Sequence, residues 1–159
     1  SLGRFGVNIH GHLHAGRVKK ARGVDARTGE VLYSTENDVR YHCVCVEQTP
    51  DYAPILIQED KPVAIVCVAY RDFVPQDCEE LKVKPKAQEI AVFYTIWSYA
   101  PGAGRTLIET ARKELPKRKP ELKQFVTLSP TTEMARRFHL KNGASIYRAN
   151  NNSVNYEYA

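Results

Sequence analysis

No stretch of this 159-residue chain approaches the ~18–20 consecutive apolar residues of a membrane-spanning helix, so the sequence gives no support for a membrane span. The first residues also lack the charged, apolar and small-residue progression of a secretory leader. The four cysteines, Cys43, Cys45, Cys67 and Cys78, lie in or beside apolar stretches, which leads us to expect a reducing, cytoplasmic setting. Cys43 and Cys45 share one face of a strand but lack C-x-x-C spacing, so they read as small buried hydrophobes rather than metal ligands. Internal repeats are absent. Aromatic residues are also missing from the densest basic stretch, Arg112 to Lys123, and without rings to stack bases that stretch argues against a nucleic-acid interface.

What is present is a net charge of +5, concentrated in that same stretch. Pro116 and Pro120 are expected to end the preceding helix and leave a connector, either solvated or facing the outer phosphates of a nucleotide cofactor. Residues Ile90 to Glu109 carry the strongest signal: an apolar strand, the glycine loop Tyr-Ala-Pro-Gly-Ala-Gly-Arg, then an amphipathic helix with Leu107, Ile108, Ala111 and Leu115 on one stripe. A glycine loop opening a helix directs backbone N–H groups and the positive end of the helix dipole at one point, which suits a phosphate. An ordinary strand-to-helix turn uses glycine in the same way.

Apolar periodicity predicts further strands at Arg40–Glu47, Pro54–Gln58, Val63–Tyr70, Phe125–Leu128, Ser145–Arg148 and Val154–Tyr158. A short helix is expected near Asp77–Leu81, and a longer one after Ser129-Pro130. There Ser129 is placed as the cap, Met134, Ala135 and Phe138 form the apolar face, and Asn142-Gly143 is the stop. The fold class is α+β, with a mostly antiparallel sheet flanked by helices. The turn Glu59–Pro62 divides a β-rich segment, residues 1–60, from a domain spanning 61–159.

The glycine loop resembles the pyrophosphate-binding arm of the GNAT acyltransferase superfamily. Phe-His-Leu-Lys-Asn-Gly-Ala, residues Phe138 to Ala144, is similar to a helix end in the same superfamily. These, with Phe93–Ser98, Phe-Val-Thr-Leu-Ser-Pro (Phe125–Pro130) and the terminal Val-Asn-Tyr-Glu-Tyr, resemble the GNAT-like catalytic domain of malonyl-CoA decarboxylases. The resemblance implies that Gly102, Ala103, Gly104 and Arg105, with Thr106, hold the pyrophosphate of coenzyme A or acetyl-CoA. It places the backbone of the Thr95–Trp97 region, including Ile96 and Trp97, at the thioester carbonyl. His139 becomes the residue that donates or accepts a proton, and Ser129 a hydrogen-bonding partner for the substrate's carboxylate or thioester oxygen. Read from the residues alone, His139 is equally a partly buried structural histidine, and Ser129 a helix cap. Thr127 lies on the same strand, where its side chain is available to the cleft.

The N-terminal third carries a second resemblance. Asn-Ile-His-Gly-His-Leu-His (Asn8–His14) and Cys43–Ile55 look like the end of a calcineurin-like metallophosphoesterase, which implies that His12 and His14 are metal ligands. A two-metal site also needs Asp-x-His, Gly-Asp and Asn-His pairs, and the chain has none of them, so only an adventitious divalent ion is expected there.

The function expected from these signals is acyl-CoA-dependent N-acyl transfer, with direct attack of an amine acceptor on the thioester. Decarboxylation of a malonyl-CoA-type substrate by Ser129 and His139 is the alternative, and a phosphoesterase remnant or a binding module a third. Ser129 and His139 stand ten residues apart, without the long region that separates them in the decarboxylases, which favours the compact transferase. No membrane partner is expected.

Overall fold

The computed structural model describes residues 50–59 and 61–159, the side chain of residue 61 excepted, and ahead of them the backbone of four strands. Those four are β1 (Val7–Ile9), β2 (Ala21–Asp25), β3 (Val31–Thr35) and β4 (Arg40–Cys43). The first three form an antiparallel sheet in the order β1-β2-β3. His12 and His14 lie outside the described residues.

The larger sheet follows the order β5-β6-β7-β8-β10-β9, built from β5 (Ile55–Gln58), β6 (Lys61–Arg71), β7 (Ile90–Ser98), β8 (Gln124–Thr127), β9 (Ser145–Ala149) and β10 (Val154–Tyr158). Every pairing along it is antiparallel except β7 with β8, which are parallel and are connected through helix α2 (Ala103–Arg118). A parallel pair needs such a crossover, because a tight hairpin only reverses the chain. Strands β5 and β6 pair as neighbours, Gln58 with Lys61 and Ile57 with Pro62, so the expected boundary at Glu59–Pro62 lies between paired strands, and Ile55 packs in the same core as Val92. The architecture is α+β.

Continuous apolar runs in β6 and β7 reflect burial on both faces. One face of the sheet packs Ile65, Cys67, Ala69, Val92, Tyr94 and Trp97 against Val74 and Leu81, the latter on the short helix α1 (Cys78–Leu81), which Asp77 caps. The other face packs Val66, Val68, Phe93 and Ile96 against the stripe Leu107, Ile108, Ala111 and Leu115 of α2. Leu107, Ile108 and Leu115 are essentially unexposed. Each such side chain stabilises the fold by roughly 1.5–3 kcal/mol relative to exposure.

Three local expectations are corrected. Pro116 does not end α2, which runs to Arg118 with the proline in its last turn. A proline so near the C-terminus removes only one i→i−4 donor, and Lys119 N still donates to Leu115 O at 2.8 Å. Ser129 does not cap α3 (Glu133–Lys141). The cap is Thr132, whose hydroxyl accepts from Ala135 N at 3.2 Å, while Ser129 exchanges two backbone bonds with Val154 and so extends the sheet. Cys78 is not a free thiol but is disulfide-bonded, and Cys67 is buried.

Candidate active site

Strand β7 is paired along its whole length by β6 on one edge. On the other edge β8 accompanies it only from Ile90 to Phe93, after which Arg40–Cys43 of β4 pairs antiparallel with Thr95–Ser98. The two parallel strands therefore part company just past Phe93 and Thr127. Crevices of this kind, beyond the carboxyl ends of parallel strands, are where open α/β sheets commonly bind ligands.

The glycine loop follows the end of β7. Gly102 has φ of 76°, a left-handed conformation natural to glycine, and it starts α2. Ala103 N donates to Ala100 O at 3.1 Å and Gly104 N to Ser98 Oγ at 3.2 Å, and both residues are buried. Gly102, Arg105 and Thr106 are exposed, and the Arg105 guanidinium bonds Glu109 at 3.0 Å. Ile96 and Trp97 lie near the C-terminal end of β7. Trp97 pairs with Ile65 and Tyr41, and Ile96 with Val66 and His42.

Helix α3 stands against this loop. A Cβ on Gly104 would lie 3.2 Å from the Phe138 ring, so the absence of a side chain at 104 is what lets the loop and the helix approach so closely. One residue further, His139 shares the inward face of α3 with Ala135, one turn earlier, and is fully buried. Asn142 and the left-handed Gly143 then end the helix, as expected.

His139 and Ser129, ten residues apart in sequence, meet in the interior. Ser129 Oγ lies 3.2 Å from His139 Nε2, and the other ring nitrogen, Nδ1, lies 2.7 Å from the Tyr158 hydroxyl. Ser129 donates to Thr127 Oγ1 at 2.8 Å, and the same oxygen accepts the Tyr156 N–H at 3.0 Å. The imidazole stacks on the Tyr156 ring with centroids 4.9 Å apart. Burial pushes the Tyr158 phenol well above its usual range, an effect that the nearby Arg112 guanidinium partly offsets, so Tyr158 stays protonated and able to donate. Burial likewise raises Tyr156.

The expected pair Ser129–His139 is thus brought together, while Tyr156 and Tyr158 enter the site without having been singled out. A signal was present, because β-strand alternation puts both on one face of the terminal strand. Among the described residues no group of three His, Cys, Asp or Glu side chains is placed to hold a metal ion, and no helix is long and apolar enough to cross a membrane.

No protein-family model matches the sequence, and no curated protein matches it. Among solved structures, the chain is similar to malonyl-CoA decarboxylase from Agrobacterium vitis, with 26% identity and a TM-score of 0.45 over 58% of this chain and 26% of that one. It is also similar to malonyl-CoA decarboxylase from Cupriavidus metallidurans, with 23% identity and a TM-score of 0.42 over 65% of this chain and 25% of that one. The chain spans about a quarter of the length of those two proteins.

Proposed function

We propose that the chain acts on a coenzyme A thioester and that its reaction is decarboxylation of a malonyl-CoA-type substrate. The observation that carries this reading is the 3.2 Å approach of Ser129 Oγ to His139 Nε2 in a buried site, with Tyr158 on the far side of the ring. Losing carbon dioxide from a thioester that carries a carboxylate on its α-carbon breaks the bond between the carboxylate carbon and the α-carbon. The electron pair passes into the thioester carbonyl, and one proton must then reach the α-carbon. No second substrate is required. A buried environment favours the step, because a carboxylate stripped of water gives up its charge more readily as neutral carbon dioxide leaves.

In this scheme Ser129 meets a carboxylate or thioester oxygen, and His139 delivers the proton from Nε2 and regains one from solvent. The exposed Gly102, Arg105 and Thr106 at the positive end of α2 would receive the coenzyme A phosphates, with Arg105 exchanging its Glu109 partner for them. Acyl transfer to an amine is less well supported. It would use the free backbone edge of Thr95–Trp97 to polarise the thioester, and β4 already pairs along that edge.

The test incubates the full chain with malonyl-CoA alone and, separately, with acetyl-CoA and a panel of amines. Release of carbon dioxide and acetyl-CoA from malonyl-CoA without an amine is the expected result. Free coenzyme A appearing only when acetyl-CoA and an amine are both present would replace this reading with the transferase.

A further inference from the structure

The His139 imidazole is set among aromatic rings, two of which the terminal strand holds in place. Tyr156 lies nearly flat against it, with centroids 4.9 Å apart and planes inclined by 28°. Phe138 meets it at 5.1 Å and Tyr158 at 5.9 Å, both close to edge-on. Tyr156 has little freedom to leave its position. It is buried, its N–H donates to Thr127 Oγ1 at 3.0 Å, and its strand β10 lies between β8 and β9.

A proton donor at this place works best as a charged ring. A neutral imidazole holds its single N–H too tightly to give it to carbon, whereas the imidazolium releases one near neutrality. Burial works against the cation. The two ring nitrogens face hydroxyl oxygens, Ser129 Oγ at 3.2 Å and Tyr158 Oη at 2.7 Å, and each oxygen can accept a ring N–H whichever way its own proton points. Those oxygens serve a neutral ring as well as a charged one. What separates the two forms is the face of Tyr156, whose negative π surface attracts a cation lying within about 6 Å of it. Further charged groups stand behind these rings. Arg112 of α2 lies 5.2 Å from the centre of the Tyr158 ring and opposes a second positive charge, while Glu133 and Arg136 of α3 act with opposite signs on the Tyr156 phenol.

We infer that Tyr156 is a positioning residue: its ring fixes the plane of the His139 imidazole, with Nε2 toward Ser129, and steadies the imidazolium. The catalytic meaning of this rests on the decarboxylase reading. There the imidazolium gives its Nε2 proton to the α-carbon once carbon dioxide has left, and the neutral ring that remains takes a new proton from solvent. The stacking does not depend on that reading. Without the Tyr156 ring, His139 holds its second proton less tightly and gives it up at lower pH.

The experiment follows the His139 ring by ¹³C NMR of the full chain between pH 5 and 9, with the signal assigned by its loss in His139→Gln. Tyr156→Leu stays apolar but has no π face, and should move the titration roughly 0.5–1.5 pH units lower. Tyr156→Phe keeps the ring and should leave the titration nearly in place. A site that was merely loosened would admit water and move it higher, because hydration favours the charged form. Should the leucine variant fail to fold, the more adaptable Tyr156→Met is read in the same way. With malonyl-CoA, the alkaline limb of kcat should shift down with the titration, so that kcat at pH 8 falls roughly 3–30-fold in the leucine variant with KM nearly unchanged. A folded leucine or methionine variant whose titration stays in place or moves higher overturns the inference, as does a phenylalanine variant that moves as far as they do. A wild-type ring still neutral at pH 5 overturns it even if no variant folds. If the wild type does not turn over malonyl-CoA, the decarboxylase reading fails, while the titration still decides what Tyr156 does for His139.

Discussion

Ser129 faces His139 at 3.2 Å, and its hydroxyl is available to do so because Thr132, three residues later, supplies the cap of α3. The two roles expected of one serine are thereby divided between two residues, and mutation can separate them. Ser129→Ala should lower malonyl-CoA turnover roughly 10²-fold or more while shifting stability little. Thr132→Ala should cost about 1 kcal/mol of stability and leave turnover within a few-fold. Paired activity assays and urea denaturation curves of the two variants distinguish the roles. Full turnover in Ser129→Ala would make the pair a structural contact.

Gly104 and Phe138 yield a second prediction. A methyl at 104 would lie 3.2 Å from the Phe138 ring and 3.3 Å from Ser98 Cβ, a few tenths of an ångström too close. Alanine also gains up to about 1 kcal/mol of helix propensity over glycine, so Gly104→Ala should be nearly neutral in stability. The small displacement of Phe138 should still be felt at the adjoining His139 as reduced turnover. Gly104→Val cannot be accommodated so cheaply and should cost about 1–3 kcal/mol through overpacking. Thermal melts with kinetics on both variants check this, and unchanged kcat in Gly104→Ala would show that the loop and His139 are not mechanically linked.

Asn155 fastens the floor of the site. Its amide nitrogen donates to Thr127 O at 2.8 Å and Pro75 O at 2.9 Å, and its oxygen accepts from Arg148 at 3.1 Å and Asn150 at 2.9 Å. Asn155→Ala removes both the donors and the acceptor within the interior. Each buried group left without its partner costs about 1–3 kcal/mol, so a total near 3 kcal/mol is expected from urea denaturation. A loss below 1 kcal/mol would mean that water replaces the amide.

How far the sequence revealed all this depends on the range of the interaction. The strands around Val66 and Ile96 were legible because burial on both faces writes a continuous apolar run, and the α2 stripe was legible because a one-sided helix repeats every three to four residues. The cap of α3 was misplaced because Ser129-Pro130 and Thr132 both satisfy local start rules. What separates them is the bridge from Ser129 to Val154, a contact that no local rule contains. The pairing of β4 with Thr95–Ser98 was hidden for the same reason. Tyr158 was visible as part of a motif but had no role until the fold carried its hydroxyl to His139.

The tyrosines make alkaline pH a global test of the fold. Tyr158 is raised by burial, with Arg112 opposing, and Tyr70 is pushed up to about 12, by burial first, with Arg118 opposing. Tyr52 and Tyr156 are raised in the same direction, again chiefly by burial, from the ordinary phenol value of about 10. A phenol whose folded pKa exceeds its unfolded one binds its proton more tightly when folded. Between the two values the native state therefore holds more protons than the unfolded state, and stability falls as pH rises. The contribution of these phenols should be fully present below about pH 10 and be lost progressively above it as pH passes through the folded values. Tyr158→Phe should soften the decline, because the phenylalanine cannot ionise, although it also removes the hydroxyl that faces His139 Nδ1. Denaturation midpoints from pH 8 to 11.5, with ultraviolet titration of phenolate, measure both the decline and its softening. A midpoint insensitive to pH above 10 in the wild type would mean that these rings ionise in the folded protein as freely as in the unfolded chain.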